Sequence, residues 1–301
     1  MALRSDPSRL VEHEPPEPES QDDAAIVLWA LYELGYRGFE DVEERLEWDL
    51  SVLRLRGELE SAMEARLRRR WTGHRSEGDF AEAFFAFVGD HDGPSLARFV
   101  QTEATEEQVL DLLGMRSLYH LKEADPSAWA VPRLETAAKA ALVELLYDEY
   151  GAGDPNRLHQ HLFARGLEAL GLRSEYGGYI DEVPAEILEQ NNAMALFGLH
   201  RRLRGAAMGH LAAFEATSSM PSRRMAAGLQ RLGLDATMVA YYTEHVTADA
   251  AHEQVAVRAI CGALLDQEPA LWDEVFFGAF TCLDLEDRVA DHLLGRWREP
   301  A

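Results

Sequence analysis

The 301-residue sequence predicts an all-α protein made of long antiparallel helices around a common core. Three observations predict this fold class. Apolar residues recur at spacings of three and four, capping residues and prolines mark helix ends, and no convincing stretch alternates apolar with polar residues. The hydrophobic fraction of 47% is enough to build a buried core.

The N-terminal part divides into a tail and a helical extension. Residues 1–23 are rich in proline and glutamate and poor in apolar groups, so we expect a disordered acidic tail. Residues 24–94 carry helical apolar stripes, for example Leu50–Met63, and the turn signal of Gly89–Pro94 closes this extension. Residues 95–301 are predicted to form the main domain.

The main domain continues the helical pattern. Gly151–Gly153 interrupt the chain, and Asp154 and Pro155 then begin the next helix as its N-cap and first residue. A helical stretch starts at Pro184 and is predicted to end at Pro221. Further helices are predicted over residues 222–232, 235–262, 269–282 and 284–297.

Composition and charge exclude several classes of protein. The 29 Lys+Arg against 53 Asp+Glu give a net charge of −24, which disfavours binding to nucleic acid or to an anionic membrane. There is no long apolar run and no leader pattern at the N-terminus. Cys261 and Cys282 do not make a disulfide framework. We therefore expect a cytoplasmic protein without a nucleic-acid or membrane partner.

The segment from His245 to His252 carries the strongest signal for a metal site. At about 100° per residue, His245, Asp249 and His252 fall within an arc of roughly 60° on one helix face. Two imidazoles and a carboxylate can therefore converge on one metal ion. The alternative is a solvated polar face, and spacing alone leaves the two interpretations about equal.

Two further motifs offer inward-facing carboxylates. Glu215 lies among small and apolar residues, where a carboxylate must be protonated, bound to a cation or paired, for example with a neighbouring arginine. Glu149 precedes the glycine break and His159 follows it, so a change of chain direction can bring them together. The Glu-x-x-His pairs of ferritin-like proteins are missing at these positions, which argues against that family.

Several segments of the main domain form recognisable motifs: Asp148–Gly153, His159 with Leu162 and Phe163, Phe197–Ala206, Gly209–Glu215, Arg231–Gly233 and Glu244–His252. Together they resemble the iron-containing redox enzyme family, a group of haem-oxygenase-like diiron oxidases and oxygenases that bind no haem. The resemblance covers roughly residues 95–285 and implies a haem-oxygenase-like helical bundle.

The resemblance also implies a set of metal ligands. N-oxygenating members of the family use one further carboxylate ligand, and Glu123 matches its position. The alternatives are that Glu123 is exposed and binds no metal, or that His120 is the ligand in its place. Four carboxylates balance the charge of two Fe(II) ions, and nitrogen and oxygen ligands without cysteine suit iron or manganese. The implied ligands are Glu123, Glu149, His159, Glu215, His245, Asp249 and His252.

The activity that the resemblance implies is O2 activation at two iron ions, through a peroxo-bridged diferric species. The implied substrate is a small amine- or amino-acid-like metabolite. N-oxygenation is favoured by the additional ligand, and oxidative C–C cleavage or decarboxylation of an amino or fatty acid is the alternative. Two alternatives belong to other classes of function: a haem-binding protein and a noncatalytic metal-binding protein, both of the same fold. Expected partners are O2 and the substrate, with an external reductant and a homodimer left open.

Overall fold

The computed structural model describes residues 20–74 and 78–298, except the side chains of residues 247–251. Within these ranges the chain is helical and has no strand, which confirms the predicted all-α class. The helices are α1 (Gln21–Glu33), α2 (Leu50–Arg70), α3 (Phe80–Gly89), α4 (Leu96–Thr102), α5 (Glu106–His120), α6 (Asp125–Ala128), α7 (Thr136–Glu149), α8 (His159–Ala169), α9 (Ala185–Leu199), α10 (Arg204–Leu232), α11 (Ala236–Gln254), α12 (Ala263–Gln267) and α13 (Trp272–Arg298).

Helix α1 begins inside the range predicted for the acidic tail. Ser20 is its N-cap, and the Ser20 hydroxyl accepts a hydrogen bond from the backbone N–H of Asp23. A serine at this position satisfies one of the free N–H groups of the first turn. Residues 1–19 of the predicted tail lie outside the described residues.

The predicted N-terminal extension packs on the rest of the chain. Tyr32 of α1, Met63 of α2 and Phe84 of α3 are buried in one apolar cluster with Phe197 and Phe276 of the main domain. Helix α1 lies along α9. The boundary between extension and main domain stays a prediction.

Helix α10 lies at the centre of the bundle and packs along α4, α11 and α13. Gly209 of α10 and Gly278 of α13 permit a close approach, because a side chain at either position would strike the backbone of the opposite helix. Helix α8 packs on α11, and α7 packs on the segment that follows α11. This packing brings α7, α8, α10 and α11 together at one place in the core.

Two predicted helix ends are wrong. Pro221 lies inside α10. A proline in a helix interior costs about 3 kcal/mol because it donates no hydrogen bond, but α10 is held against α11 and α13 along its length. The helices predicted over 269–282 and 284–297 form one helix, α13. Asp284, at the predicted boundary, lies in the interior of α13, and its carboxylate is 2.6 Å from a guanidinium nitrogen of Arg70.

The helix predicted over residues 235–262 extends to residue 267 and changes character on the way. After α11, the segment Val255–Gly262 is a π-helix and continues directly into α12. Such segments occur often at functional sites, because the wider turn alters which side chains face inward. This one begins three residues after His252.

No helix among the described residues has the length and apolar character needed to cross a membrane.

Candidate metal centre

A tight turn joins Glu149 at the end of α7 to His159 at the start of α8. Gly151 and Gly153 have φ values of 69° and 86°, and Ala152 between them has a φ of 54°. A Cβ atom on Gly151 would lie 2.6 Å from the backbone carbon of Arg157. Only glycine fits this position, since it tolerates both the positive φ and the close backbone. The turn thus carries out the change of direction that the sequence predicts.

The Glu149 carboxylate lies between two histidines. Its Oε2 atom is 2.8 Å from Nδ1 of His159, and its Oε1 atom is 3.4 Å from Nδ1 of His252. All three side chains are buried. One carboxylate therefore faces an imidazole with each of its oxygens.

Glu215 completes the group around His252. Its Oε2 atom lies 3.5 Å from Nδ1 of His252. Glu149, Glu215 and His252 each offer a ligand atom, and these three atoms all lie within 4.8 Å of one another. Arg202 and Arg204, which could have paired with Glu215, bind Glu64 and Glu268 instead.

A second group of side chains lies on the other side of Glu149. Glu123 is in the turn that follows α5, and its Oε2 atom is 3.9 Å from Nε2 of His245. The imidazole rings of His159 and His245 are 4.5 Å apart between centroids. Glu123, His159 and His245 thus form one half of the centre, Glu215 and His252 form the other, and Glu149 touches both.

Asp249 belongs to α11, but its side chain lies outside the described residues. Of the seven predicted ligands, the structure brings together the other six. His161 is exposed on α8, as expected from its position two residues after His159.

Two residues that the sequence did not assign to the site, Tyr241 and Asp148, support its histidines. The Nδ1 atom of His245 lies 2.8 Å from the carbonyl oxygen of Tyr241, so Nδ1 carries the proton and Nε2 offers its lone pair to the centre. Nε2 of His252 lies 3.4 Å from Oδ2 of Asp148. Outer hydrogen bonds of this kind orient metal-binding imidazoles.

The Tyr241 hydroxyl group and His120 lie next to Glu123. The hydroxyl oxygen is 2.9 Å from Nδ1 of His120 and 3.5 Å from Oε2 of Glu123. His120 therefore has a partner of its own in Tyr241, and it packs against Phe163. The sequence contained one indication that Asp148 belongs to the site, which is its place beside Glu149 in the family motif. It contained nothing that distinguished Tyr241 from other core tyrosines.

Burial and mutual repulsion perturb the acids of the centre. Burial raises the pKa of Glu123 and of Glu215 to about 7, and the negative charge of Glu149 adds to the effect. Burial also acts to raise the pKa of Glu149, but contact with His159 outweighs it and holds that pKa below the usual value. Metal-free, the centre therefore retains protons near neutral pH that a bound cation would displace.

The same buried carboxylates also shift the pKa values of the histidines. Burial alone would lower the pKa values of His159 and His252, but the adjacent carboxylates Glu149 and Glu215 outweigh it and raise both to about 9. Burial dominates at His245, whose pKa is lowered. A neutral His245 with its Nε2 lone pair facing inward is a ready metal ligand.

The donor atoms fit iron. Nδ1 of His159, Nε2 of His245 and Nδ1 of His252 are buried and have no hydrogen-bond partner among the described residues. Buried polar atoms without partners are costly, and a cation between these nitrogens and the carboxylates would satisfy them. Imidazole and carboxylate donors without thiolate suit iron or manganese. These six side chains can hold such ions.

Comparisons with known proteins point the same way. A family model described as iron-containing redox enzyme matches residues 110–287. A nitrosourea synthase from Streptomyces achromogenes subsp. streptozoticus is 29% identical over 146 residues, which are 48% of this chain and 31% of that protein. The match thus spans less than a third of that relative's length. A CADD-like protein of unknown function from Nostoc punctiforme PCC 73102 shares the fold with a TM-score of 0.53 and 14% identity, over 79% of this chain and 97% of that one.

Proposed function

Since the chain belongs to the iron-containing redox enzyme family, we propose that it is a diiron oxygenase that uses O2 to oxidise a nitrogen atom of a small amine or amino acid. Membership confirms the resemblance seen in the sequence and, with the similar solved structure, the haem-oxygenase-like bundle. It also identifies an oxidoreductase. The number of irons, the use of O2 and the substrate are the parts that we propose.

The observation that carries the proposal is the position of Glu149. Its two oxygens face His159 and His252, which belong to opposite halves of the centre. A carboxylate with donor groups on both sides is suited to bridge two metal ions, whereas a mononuclear site would leave one half without a cation. Glu123 and His245, which lie together, would hold one ion, and Glu215 and His252 would hold the other.

When bound, two Fe(II) ions supply two electrons for the reduction of O2. The protein supplies a small space for the gas. A cavity of about 30 Å³ adjoins Glu123, Glu149 and Glu215, and the Tyr119 and Phe214 rings form part of its wall. It has room for O2 or for one or two water molecules but not for a metabolite. The apolar walls exclude bulk water, which limits side reactions.

We propose nitrogen as the oxidised atom because of the name of the similar Streptomyces protein. A nitrosourea synthase, by its name, makes a nitrosourea, and a nitroso group carries oxygen on nitrogen. Glu123 adds a third carboxylate, with only 9% of its side chain exposed, to the described centre, which supports the additional ligand expected for N-oxygenating members of the family.

The experiment is an anaerobic titration of the metal-free protein with Fe(II), followed by exposure to O2. We expect two irons per chain and O2 consumption that depends on them. Amines and amino acids are then screened for faster O2 consumption and for a product that is heavier by one oxygen atom. A single iron that supports full O2 consumption would overturn the diiron assignment.

Two other outcomes identify the alternative classes. A Soret band after addition of haemin would indicate a haem-binding protein, and iron bound without O2 consumption would indicate a noncatalytic metal-binding protein. Replacement of Fe(II) by Mn(II) in the same titration tests manganese as the resident metal.

A further inference from the structure

A small cavity lies where α1 and α2 meet α9. Its volume is about 20 Å³, and none of its lining residues belongs to the metal centre. The polar residues of its lining are Arg66 of α2 and Glu189 and Asn192 of α9, and apolar side chains of α1 and α2 form the rest of the wall. The cavity therefore lies between the predicted N-terminal extension and the main domain.

Each of the three polar residues carries a buried atom that lacks a hydrogen bond. The atoms are Nε of Arg66, Oε2 of Glu189 and Oδ1 of Asn192, and none of them has a hydrogen-bond partner among the described residues. Glu189 and Asn192 keep only 2% and 1% of their surface exposed. Buried polar atoms in folded proteins nearly always have a partner. Three such atoms around one cavity therefore point to a bound molecule that all three can share.

Other atoms of the same side chains are already engaged, which fixes their positions. Oε1 of Glu189 accepts hydrogen bonds from Nη2 of Arg66, at 2.8 Å, and from Nε2 of Gln21, at 3.0 Å. Arg288 of α13 forms an ion pair with Oε2 of Glu189, at 2.6 Å. Nδ2 of Asn192 donates a 2.8 Å hydrogen bond to a backbone carbonyl oxygen of α1. The side chains are thus held around the cavity by partners outside it.

The charges around the cavity restrict the class of molecule that can bind there. Glu189 already faces two guanidinium groups, those of Arg66 and Arg288, so a further cation would be repelled. An anion would face two acceptor oxygens, on Glu189 and Asn192. An apolar gas would leave all three polar atoms without a partner. Only a neutral molecule that both donates and accepts hydrogen bonds meets these requirements.

The hydrogen-bonding pattern and the size of the cavity identify that molecule as water. The Nε–H group of Arg66 needs an acceptor, and the oxygens of Glu189 and Asn192 each need a donor. Water has lone pairs for the first and two O–H groups for the others. A cavity of about 10–15 Å³ is the smallest that holds a water molecule. The volume of about 20 Å³ therefore admits one water molecule and nothing larger.

We propose that this cavity is a binding site for a single structural water molecule, which accepts a hydrogen bond from Arg66 and donates one each to Glu189 and Asn192. The water joins α2 of the predicted extension to α9 of the main domain. The extension is then held by a shared hydrogen-bonded centre as well as by apolar contacts. This proposal does not depend on the metal centre or on the proposed function.

The first test is a crystal structure of the full-length wild-type protein at a resolution that shows ordered water. We expect one peak of electron density in the cavity, about 2.7–3.2 Å from each of the three atoms. The absence of a peak overturns the proposal, and so do direct hydrogen bonds among the three side chains that close the cavity. Contacts of about 2.3–2.6 Å to the peak also overturn it, because such distances indicate a metal cation.

The second test uses magnetic relaxation dispersion of the solvent, which counts the water molecules held inside a protein in solution. Asn192→Leu removes the acceptor Oδ1, so we expect one internal water fewer than in the wild type. Asn191→Leu is the matched control, since Asn191 is on the same helix and equally buried, at 1% exposure, but does not line the cavity. Equal counts in the wild type and Asn192→Leu overturn the proposal. The wild-type crystal structure decides the question even where Asn192→Leu does not fold.

Discussion

Lys122 and Glu33 form an ion pair in the core, with only 2% of each side chain exposed. The Tyr176 hydroxyl donates a 2.8 Å hydrogen bond to the same Glu33 carboxylate. Lys122 immediately precedes Glu123 in the turn after α5, and Arg37 donates a 2.9 Å hydrogen bond to the Leu121 carbonyl in that turn. Helix α1, through Glu33, and the segment after it, through Arg37, thus hold the turn that places Glu123 at the metal centre.

We expect Glu33→Ala to lower the free energy of unfolding by about 3–5 kcal/mol, because it leaves the Lys122 ammonium group buried without a partner. Urea unfolding measures this loss. The double variant Glu33→Leu with Lys122→Met is expected to recover most of it, since well-packed apolar residues often replace a buried pair at little cost.

The exposed pair Arg54 and Glu58 provides a control for that measurement. Their side chains are 64% and 60% exposed, with the charged atoms 3.3 Å apart. Glu58→Ala is therefore expected to change the free energy of unfolding by less than about 1 kcal/mol. If Glu33→Ala costs no more than Glu58→Ala, the pair does not hold the turn.

His159→Ala should lower the iron content of the protein, whereas His161→Ala should leave it unchanged. His159 is buried against Glu149, and His161 is exposed two residues later on the same helix. We expect about one iron per chain in His159→Ala, because only the half with Glu123 and His245 loses a ligand. Iron analysis after anaerobic loading checks this. Two tightly bound irons in His159→Ala would remove His159 from the ligand set.

Metal binding should release protons near neutral pH. The pKa values of Glu123 and Glu215 are about 7, and those of His159 and His252 are about 9, while metal binds only the deprotonated forms. Titrations with Mn(II) in two buffers of different protonation enthalpy give the number of protons released. We expect weaker metal binding as the pH falls below about 9, and a steeper loss below about 7.

The same groups make the metal-free protein less stable at higher pH. All four pKa values lie above their usual values of 4.5 and 6.5, so their contribution to stability is present at low pH and is lost as pH rises through 7 and then 9. The increase in Tm on adding metal should therefore grow over that range. A metal effect on Tm that shrinks with rising pH would contradict these assignments.

Gly151→Ala should disturb both stability and metal binding. It places a Cβ at positive φ, 2.6 Å from the Arg157 backbone, so we expect a loss of more than about 1 kcal/mol and a displaced His159. Gly57→Ala is the control: it lies in α2 with no atom within 4 Å of the added Cβ, and alanine there should stabilise by roughly 0.5–1 kcal/mol. Thermal unfolding and iron analysis measure both effects. Normal iron content in Gly151→Ala would show that the turn does not position His159.

The sequence predicted the helical architecture because apolar spacing and helix ends are local properties. It was wrong at Pro221, where packing of α10 against its neighbours outweighs a local breaker, and between residues 282 and 284, where α13 continues without a break. Spacing alone could suggest His245 and His252 together, since one helix carries them. Glu123 came only from the family resemblance, because nothing near it in sequence marks it as a ligand.

Contacts between distant segments were beyond prediction. The partner of Lys122 is 89 residues away on α1, and the pairing of Arg116 with Glu286 spans 170 residues. Each residue alone resembles an ordinary surface charge in the sequence. Whether they meet a partner depends on how α1, α5 and α13 pack, which residue patterns do not specify.

The ligands of the metal centre are not all equally close to one another along the sequence. Glu123, Glu149 and His159 lie in one short stretch joined by the Gly151 turn, so the entropic cost of bringing them together is small. Glu215, His245 and His252 come from α10 and α11, which follow much later in the chain. During synthesis, half of the donors can meet before the rest exist. A complete centre therefore reports that α5 through α11 have come together, and an immature one lacks the second half of its ligands.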